Sequence, residues 1–528
     1  MNKAFYPLFF AIILASGVFL GYKLQDRNSA KYKQIGTSGI NSKLDYILQL
    51  IDAKYVDTVD VNKLYDEAIN GILEKLDPHS MYLPPIESQQ EAEIMEGNFE
   101  GIGIEFLISK DTIQVVNTIS GGPAEQVGMS AGDKIIKIND TLVAGNGITN
   151  EVVMKKLKGP KGTKVSVTVL KRNKKMVTYS ITRNKIPINS VDAGFMLNSN
   201  TGYIKINRFS KNTYFEFAEK LDMLSAKGMK NLILDLRGNG GGFMDQAIKI
   251  TDEFLDGKKL IVYTKGKNSP KIEENAGKIG NFEQGNLAIL IDEGSASASE
   301  IVSGAIQDWD RGTIIGRRSF GKGLVQEEIP FTDGSALRLT VARYYTPSGR
   351  SIQRDYQNGS QAYYEDVNNR FKSNGEAYAL DSTKHSVEKY KTKVKGRTVF
   401  GGGGIEPDIF VPIDTSMYNP LVNEVLYNSI LNEFSYIYYQ NIKNNFNYTT
   451  FEDYNQKFNI SDDVYKQFLN FAYQNGVNKK WNNFEAASRP YLSNRLKAYI
   501  AKQKWQMEGL LYILSKDDKM IEKALKTF

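Results

Sequence analysis

The 528-residue sequence predicts a mixed α/β fold divided among several domains. Three observations lead to this prediction. A chain of this length exceeds what one hydrophobic core usually organises. Between residues 99 and 183, short apolar runs are separated by glycines, which is typical of strands and tight turns. After residue 200, apolar strands alternate with segments of helical spacing, and helical spacing alone marks both ends of the chain.

Composition and charge exclude several classes of function. With 41% hydrophobic and 24% charged residues, the chain is typical of folded globular proteins. The net charge of +7 is spread without a basic block, so no nucleic-acid partner is predicted. Cysteine is absent, which excludes disulfides, thiolate nucleophiles, thiolate metal sites and a lipidated cysteine. Histidine occurs only at His79 and His385, which disfavours multi-imidazole mechanisms, and no metal or cofactor is expected.

The first 22 residues predict export. Lys3 precedes an uncharged, largely apolar run from Ala4 to Tyr22, close to the roughly 20 residues that a membrane span needs. Small residues at Ala15-Ser16-Gly17 suit signal cleavage, but the apolar run continues past them. A cleaved signal and a membrane anchor both stay open, and either places the protein in the periplasm or on the extracytoplasmic side of a membrane.

A helical domain is predicted at residues 40–95. Apolar residues from Leu44 to Leu76 recur at helical spacing, and this pattern closes at Asp77-Pro78. His79 lies in the turn that follows. We expect it to be a surface or capping histidine, not a catalytic one.

Residues 97–185 are predicted to form a β-rich domain. One helix is expected at Thr149–Leu157, between strands at Thr112–Val116, Lys134–Ile138, Lys164–Leu170 and Met176–Ile181. Gly122-Pro123-Ala124 and the run from Gly128 to Asn139 resemble a PDZ domain. The backbone N–H groups of Gly101, Ile102, Gly103 and Ile104 could then face a terminal carboxylate while the next strand pairs with an extended peptide. A purely structural β domain remains the alternative.

Residues 186–412 are predicted to be an α/β core. Helices are expected at Thr213–Ala226 and after Gly242, among strands at Gly202–Ile206, Leu232–Leu236, Leu287–Ile291, Thr313–Ile315 and Ala336–Ala342. The polar segment from Gln353 to Val399 lacks periodicity and is interpreted as an insertion or mobile loop.

Residues 413–528 are predicted to be a helical appendage. Helices are expected at Leu421–Asn432, Asp462–Asn475, Ser493–Gln503 and Lys504–Ser515. An ordinary small-domain core is favoured over a surface for self-association or partner docking, although self-association stays open.

A serine-rich turn runs from Gly294 to Glu300, between an apolar strand and a helical segment. A serine at such a turn suits nucleophilic chemistry, because amides at a helix N-terminus can face developing negative charge. Small-residue runs also cap helices, so the pattern alone is ambiguous. Ser295, Ser297 and Ser299 are chemically indistinguishable in the bare sequence.

A serine nucleophile needs a base, and the shortage of histidine points to lysine. Burial can lower the pKa of a lysine until it accepts a proton. Lys322 is flanked by glycines and enters a strand-like segment, and Gln326 lies four positions on. A solvated surface lysine remains the alternative.

A glycine-rich loop from Asp235 to Gly242 follows a buried strand. Its glycines permit close backbone approach. No Lys-Ser/Thr follows them, and their spacing matches neither a P-loop nor a dinucleotide fingerprint. An oxyanion-hole loop fits better.

Together these elements resemble the carboxyl-terminal processing, or tail-specific, serine proteases. The resemblance rests on the serine string, Lys322 and the Asp235–Gly242 loop, and also on Tyr344–Ile352 and Gly402–Asp408. It covers roughly Leu44 to Pro412 and implies a crotonase-like protease core with an inserted PDZ domain.

The resemblance implies a role for each matching position. Ser297 would be the nucleophile, Lys322 the general base and Gln326 the residue that orients the base. The backbone amides of Ala298 and Gly241 would form the oxyanion hole.

The expected function is a serine endopeptidase that recognises protein or peptide substrates by their accessible C-termini. Two alternatives remain: a catalytically inactive PDZ scaffold at the membrane, and a carrier of hydrophobic ligands built on the same core.

Overall fold

The computed structural model describes residues 41–109, 111–119, 121–171, 173–277, 279–372, 375–378 and 388–528. The predicted signal or anchor at 1–22 lies outside the described residues, as does His385. Within the described residues, no helix is both long enough and apolar enough to cross a bilayer.

The chain divides into two compact units, the first of which ends at Lys75. Its described part contains helices α1 (Asn41–Lys54) and α2 (Val61–Leu73). The Asp60 side chain accepts hydrogen bonds from two amides of the first turn of α2, which stabilises the start of that helix. Both helices overlap the segment that shows helical periodicity in the sequence.

The second unit begins with a strand, a helix and a β-rich domain. Its elements in chain order are β1 (Met81–Leu83), α3 (Pro85–Glu96), β2 (Asn98–Gly101), β3 (Ile104–Ser109), β4 (Thr112–Thr118), α4 (Pro123–Gln126), β5 (Lys134–Ile138), β6 (Thr141–Leu142), α5 (Asn150–Leu157), β7 (Lys164–Leu170), β8 (Met176–Thr182) and β9 (Asn184–Pro187).

The β-rich domain is an antiparallel sheet of order β3-β4-β5-β7-β8, with β6 paired to β5. Strand β7 shows why it folds this way: Val165, Val167 and Val169 alternate into the core, and polar neighbours face outward. Strands β2 and β9 pair with each other at the two ends of the domain, with Phe99 opposite Ile186. Because the two strands that lead into and out of the domain pair with each other, the domain is an insertion in the chain. The order of helices and strands confirms the predicted mixed α/β fold class.

The α/β core follows. Its elements are β10 (Val191–Met196), β11 (Thr201–Ile206), α6 (Thr213–Ala226), β12 (Asn231–Asp235), α7 (Met244–Asp252), β13 (Leu260–Lys265), β14 (Ile272–Asn275), β15 (Asn286–Ile291), α8 (Ala298–Asp308), β16 (Thr313–Gly316), β17 (Leu324–Pro330), β18 (Ala336–Tyr345), α9 (Gly359–Asn369), β19 (Lys389–Lys391), β20 (Thr398–Phe400) and β21 (Ile409–Phe410).

Six of these strands form the central sheet, in the order β10-β11-β12-β15-β16-β21. Only the β10–β11 pair is antiparallel. Because the other connections are parallel, the ends of β12 and β15 open at the same edge of the sheet. That edge carries the glycine-rich loop and the serine-rich turn.

The C-terminal region consists of helices. They are α10 (Pro420–Tyr427), α11 (Ile430–Ile442), α12 (Phe451–Lys457), α13 (Asp462–Gln474), α14 (Glu485–Leu514) and α15 (Lys519–Leu525), with 3₁₀ turns at Lys443–Asn445, Lys479–Phe484 and Ser515–Asp517.

These helices are not an appendage to the α/β core. On β12, Leu232 and Leu234 pack with the core helices α6, α7 and α8, whereas Ile233 belongs to the cluster that contains Leu492 and Ile513 of α14. The central sheet is therefore buried on both faces, and the C-terminal helices form its second cover.

A second, antiparallel sheet has the order β1-β18-β13-β14, with β17 also paired to β18. Strand β1 aligns Met81 with Arg338. This pairing brings the preceding turn, Asp77 to Ser80, beside β17 and β18, although it lies about 260 residues earlier in the sequence.

The segment interpreted as an insertion or mobile loop contains a helix and two strands among its described residues. Its helix α9 buries Tyr363, and Arg370 and Ala377 are also buried. The Tyr363 hydroxyl donates to the carbonyl of Gly321 at 3.3 Å, so the helix supports the turn that carries Lys322. Lack of periodicity misled the sequence interpretation because this helix buries only one residue of its own.

Candidate active site

Ser297 occupies a strained turn between β15 and α8. Its φ of 52° and ψ of −110° lie outside the regions that non-glycine residues normally adopt. Such strain costs on the order of 1–3 kcal/mol and concentrates at functional sites. Ser297 is half-buried and lines a surface pocket.

The neighbouring serines are unsuited to nucleophilic attack. Ser295 is fully buried, and its hydroxyl donates to the carbonyl of Leu236 at 2.8 Å. Ser299 is also fully buried and donates to the carbonyl of Asn239 at 2.9 Å. Of the three serines that the sequence could not distinguish, only Ser297 borders the pocket.

The glycine loop packs directly against this turn. A β-carbon added to Gly241 would lie 2.8 Å from the β-carbon of Ser297, and Gly241 has a φ of +102°. Only glycine fits there. The Gly241 amide donates to Asn239 Oδ1 at 2.9 Å, whereas the amide of Ala298 donates no hydrogen bond within the described residues.

Asp235 anchors the start of the glycine loop. Burial alone would raise the pKa of its carboxyl, but the charges of Arg237 and Lys205 outweigh burial and hold that pKa well below its usual range. Arg237 also donates to Asp518 at 2.7 Å, at the start of α15. The loop is thus tied to the C-terminal helices.

The buried carboxylate of Glu300 joins the serine turn to the lysine turn. Its Oε2 accepts from the amides of Ser297 at 2.8 Å and Lys322 at 2.9 Å. Its Oε1 accepts from the Ser319 hydroxyl at 2.5 Å and the Gly321 amide at 2.6 Å. Burial raises the pKa of Glu300, and these four donors oppose that rise. One side chain therefore fixes the backbone of both candidate catalytic residues.

Lys322 lies in the turn before β17 and is half-buried. The pKa of its amine is lowered to about 8, first by burial and then by the charge of Arg338, against the opposing charges of Glu300 and Asp77. Lys322 lines the same pocket as Ser297. Within the described part of the chain, its amine makes no hydrogen bond to Ser297 or Gln326.

The pocket has a volume of about 550 Å³. Its walls combine the glycine loop, the two candidate residues and Gln326 with an apolar floor that includes Leu324. This arrangement can hold a polypeptide segment against Ser297. The described residues contain no group of side chains arranged to hold a metal ion.

Gln326 is held by a chain of polar groups. A bulge in β17 falls between Val325 and Gln326, and it changes the direction of the strand locally. Gln326 Nε2 donates to Thr340 Oγ1 at 3.2 Å, and that hydroxyl donates to Asp77 Oδ1 at 3.1 Å. Asp77 also accepts from the Ser80 hydroxyl at 2.6 Å.

His79 is not the surface histidine that we expected. It is buried, and its Nε2 lies 3.1 Å from the Tyr363 hydroxyl. Burial and the nearby charge of Lys322 lower the pKa of its ring to about 3. The expectation failed because the pairing of β1 with β18 packs this turn under the site, which the local sequence does not reveal.

The loop between β2 and β3 has two backbone donors that are free within the described residues. The amides of Ile102 and Gly103 donate no hydrogen bond within the described residues, while the carbonyl groups of both residues accept bonds from the turn and helix that follow β4. Gly103 adopts a φ of +76°. Gly101 is the last residue of β2, and Ile104 is the first residue of β3.

Sequence reasoning missed Asp77, Thr340, Glu300 and Tyr344 as parts of the site. The Tyr344 hydroxyl bonds the carbonyls of Ser297 and Lys322 at 3.1 and 2.8 Å. For Glu300 a signal existed, because Ser-x-x-Glu ahead of an apolar run is the pattern of a helix capping box. For Asp77 and Thr340 there was none, since their partners are remote in sequence.

Four family profiles match this chain. Peptidase family S41 matches residues 200–359, and a PDZ domain matches residues 101–182. The N-terminal domain of the activating protease CtpB matches residues 12–85. A family of unknown function matches residues 421–506, within the C-terminal helices.

Curated relatives agree with these profiles. The carboxy-terminal-processing protease of Bartonella bacilliformis is 37% identical over 356 residues, which cover 65% of this chain and 80% of that protein. The carboxy-terminal processing protease CtpA of Bacillus subtilis is 34% identical over 356 residues, covering 67% and 75% respectively.

Proposed function

Because this chain belongs to the carboxy-terminal processing serine proteases of peptidase family S41, we propose that Ser297 and Lys322 form its catalytic dyad. One observation carries the proposal. A serine in a strained turn and a lysine with a lowered pKa line a single pocket, and one buried carboxylate holds the backbone of both.

The chemistry is acyl transfer to serine. Neutral Lys322 Nζ accepts the proton of the Ser297 hydroxyl while Oγ forms a bond to the carbonyl carbon of the scissile peptide. Collapse of the tetrahedral intermediate breaks the C–N bond, and the ammonium of Lys322 returns the proton to the leaving amine. Water, deprotonated by the same lysine, then hydrolyses the ester and restores the serine.

Substrate binding must bring the two groups into hydrogen-bonding contact. Catalytic hydrogen bonds are often absent or long in unliganded enzymes and tighten in the substrate complex. Lys322 can move by rotation of its four-carbon side chain, while its backbone stays bonded to Glu300.

The amide of Ala298 is the first proposed oxyanion donor, because it is unpaired and follows the nucleophile. Gly241 remains the proposed second donor, but its amide must first leave Asn239 Oδ1. The amides of Gly240 and Gly242 donate no bond within the described residues and line the same pocket, so either could take that role without rearrangement.

Gln326 can orient the lysine because the donor and the acceptor of each hydrogen bond in its chain are fixed. An ionised carboxylate can only accept, so the Thr340 hydroxyl must donate to Asp77 and accept from Gln326. The amide nitrogen of Gln326 is therefore committed to Thr340. Its carbonyl oxygen stays available to accept a hydrogen bond from the amine of Lys322.

Replacing Thr340 with valine should lower kcat by about 10- to 100-fold, because a misplaced base loses its attack geometry. KM should change little, since Thr340 does not line the pocket. Thr340→Ser keeps the hydroxyl and should restore most of the rate. Steady-state kinetics on a fluorogenic peptide measures both, and a valine variant with unaltered kcat would contradict the positioning role.

The pH profile should report the titration of Lys322. The base works only without its proton, so kcat/KM should rise about tenfold per pH unit below pH 8 and level off above it. Asp77→Asn removes a negative charge that raises this pKa, and its profile should shift to lower pH. A flat profile between pH 6 and 9 would argue against lysine as the base.

We further propose that the PDZ domain captures substrate tails at the free amides of Ile102 and Gly103, with the tail adding a strand to β3. The apolar segment at residues 1–22 is the basis for proposing that the protein acts outside the cytoplasm.

A further inference from the structure

A cavity of about 350 Å³ lies between the PDZ domain and the C-terminal helices. Its PDZ wall includes strand β3 from Glu105 to Ile108, and its other wall includes the start of α11 and the middle of α14. Ser109, at the end of β3, donates a 3.0 Å hydrogen bond to Glu433 of α11. Two regions that are remote in sequence thus build one cleft.

Strand β3 is the edge of its sheet. It pairs with β4 and, in the part of the chain that the structure describes, with no other strand. Its outer edge therefore offers backbone N–H and C=O groups to an extended peptide. A tail whose carboxylate sits at Ile102 and Gly103 would run along this edge and into the cleft.

Side chains of an added strand point alternately to its two sides. Those on the α5 side meet the apolar groove, where Ile104 and Phe106 pack on the PDZ core. In an isolated PDZ domain the others would face solvent. In this chain, α11 and α14 line the cavity together with β3.

Lys502 is the one cation among the residues that line the cleft, which also include the carboxylates of Glu105 and Glu433. It is half-buried, yet its amine makes no ion pair or hydrogen bond with any residue that the structure describes. An acidic side chain on a bound tail would supply a partner for it.

The helix that carries Lys502 is distorted at the cleft. Gln506 has a φ of 53° and a ψ of −148° inside α14, and its side chain lines the cavity. Backbone strain of this kind persists only where surrounding contacts maintain it.

We propose that the C-terminal helices form the second wall of the tail-binding groove. Lys502 pairs there with an acidic side chain at the second or fourth residue from the end of the substrate. The inference rests on the proposed tail capture by the PDZ domain and extends it, because it makes the helical region a determinant of tail preference.

Peptide binding to the full chain carrying Ser297→Ala tests the proposal, since that variant does not consume the ligand. Labelled peptides with an apolar last residue would carry Asp, Asn or Lys at the second or the fourth position from the end. We expect the Asp peptides to bind about fivefold more tightly than the Asn peptides at the position that faces Lys502. Lys502→Glu should reverse the order of the Asp and Lys peptides.

Lys466→Glu is the matched control, because it makes the same charge change on an exposed part of α13 outside the cleft. Lys466→Glu should leave the order of the peptide affinities unchanged. If Lys502→Glu leaves that order unchanged at both positions, or if Lys466→Glu reverses it equally, the inference is wrong.

Amidated peptides separate this failure from failure of the proposed function. If free and amidated tails bind equally, the PDZ loop does not capture the terminal carboxylate and tail capture fails. If free tails bind more tightly than amidated tails but Lys502→Glu does not change the order of the peptides, tail capture stands and only the proposed role of the helical wall is wrong.

Discussion

Ser297→Ala and Lys322→Met are each expected to reduce peptide cleavage by about 10⁴-fold or more, as removal of members of a catalytic unit does in other serine peptidases. Alanine removes the nucleophilic oxygen. Methionine preserves the volume and apolar stem of the lysine but cannot accept a proton. Lys322→Arg should be equally inactive, because a guanidinium does not lose its proton near neutral pH. Single-turnover assays on a tail-bearing protein substrate measure the loss.

Ser299→Ala is the control for this series. It removes a hydroxyl two positions away that only bonds the carbonyl of Asn239, so it should cost about 1 kcal/mol of stability and retain most of the activity. Full activity in Ser297→Ala would refute the nucleophile assignment. An inactive unmodified chain would instead favour the scaffold alternative raised by the sequence.

Arg350→Met should destabilise the protease core by about 3–5 kcal/mol. Arg350 and Asp308 are both fully buried and form an ion pair at 2.8 Å. Their contact ties the turn after β18 to the C-terminal end of α8, the helix that begins at the nucleophile. Removing only the cation leaves a buried carboxylate without its partner. The expected fall in the thermal midpoint is about 6 to 20 °C.

Two further variants test whether the loss of stability comes from the buried ion pair. Lys526→Met breaks an exposed pair with Glu522 and should cost less than about 1 kcal/mol. The double variant Arg350→Met, Asp308→Leu removes both buried charges and should recover part of the loss. A single variant Arg350→Met with an unchanged midpoint would show that the pair adds nothing to stability.

Much of the fold could be predicted because its patterns are local. The helix at Thr213–Ala226 and the strands at Lys134–Ile138 and Lys164–Leu170 have the bounds that periodicity indicated. The C-terminal helices were predictable in part. The expected helix at Leu421–Asn432 is two helices that meet at Ser429. The two helices expected at Ser493–Gln503 and Lys504–Ser515 correspond to the two parts of α14 on either side of its kink at Trp505 and Gln506, although the first part begins earlier, at Glu485.

The residue types of the candidate site could be predicted from the sequence, but the hydrogen bonds that connect them could not. Sequence motifs indicated a serine, a lysine and a glycine loop, and the structure brings all three to one pocket. The bond from Gln326 to Thr340 and onward to Asp77 had no local signal. Its members lie on separate segments that meet only because β1 pairs with β18.

The sequence by itself determined which segments are strands or helices and which groups are available for chemistry, because periodicity and residue type are properties of neighbouring positions. Only the tertiary structure decided which of three equivalent serines reaches solvent, how much the amine of Lys322 is desolvated, and that the C-terminal helices cover the central sheet. Burial and hydrogen-bond partners depend on residues hundreds of positions apart, and those contacts exist only once the chain has packed.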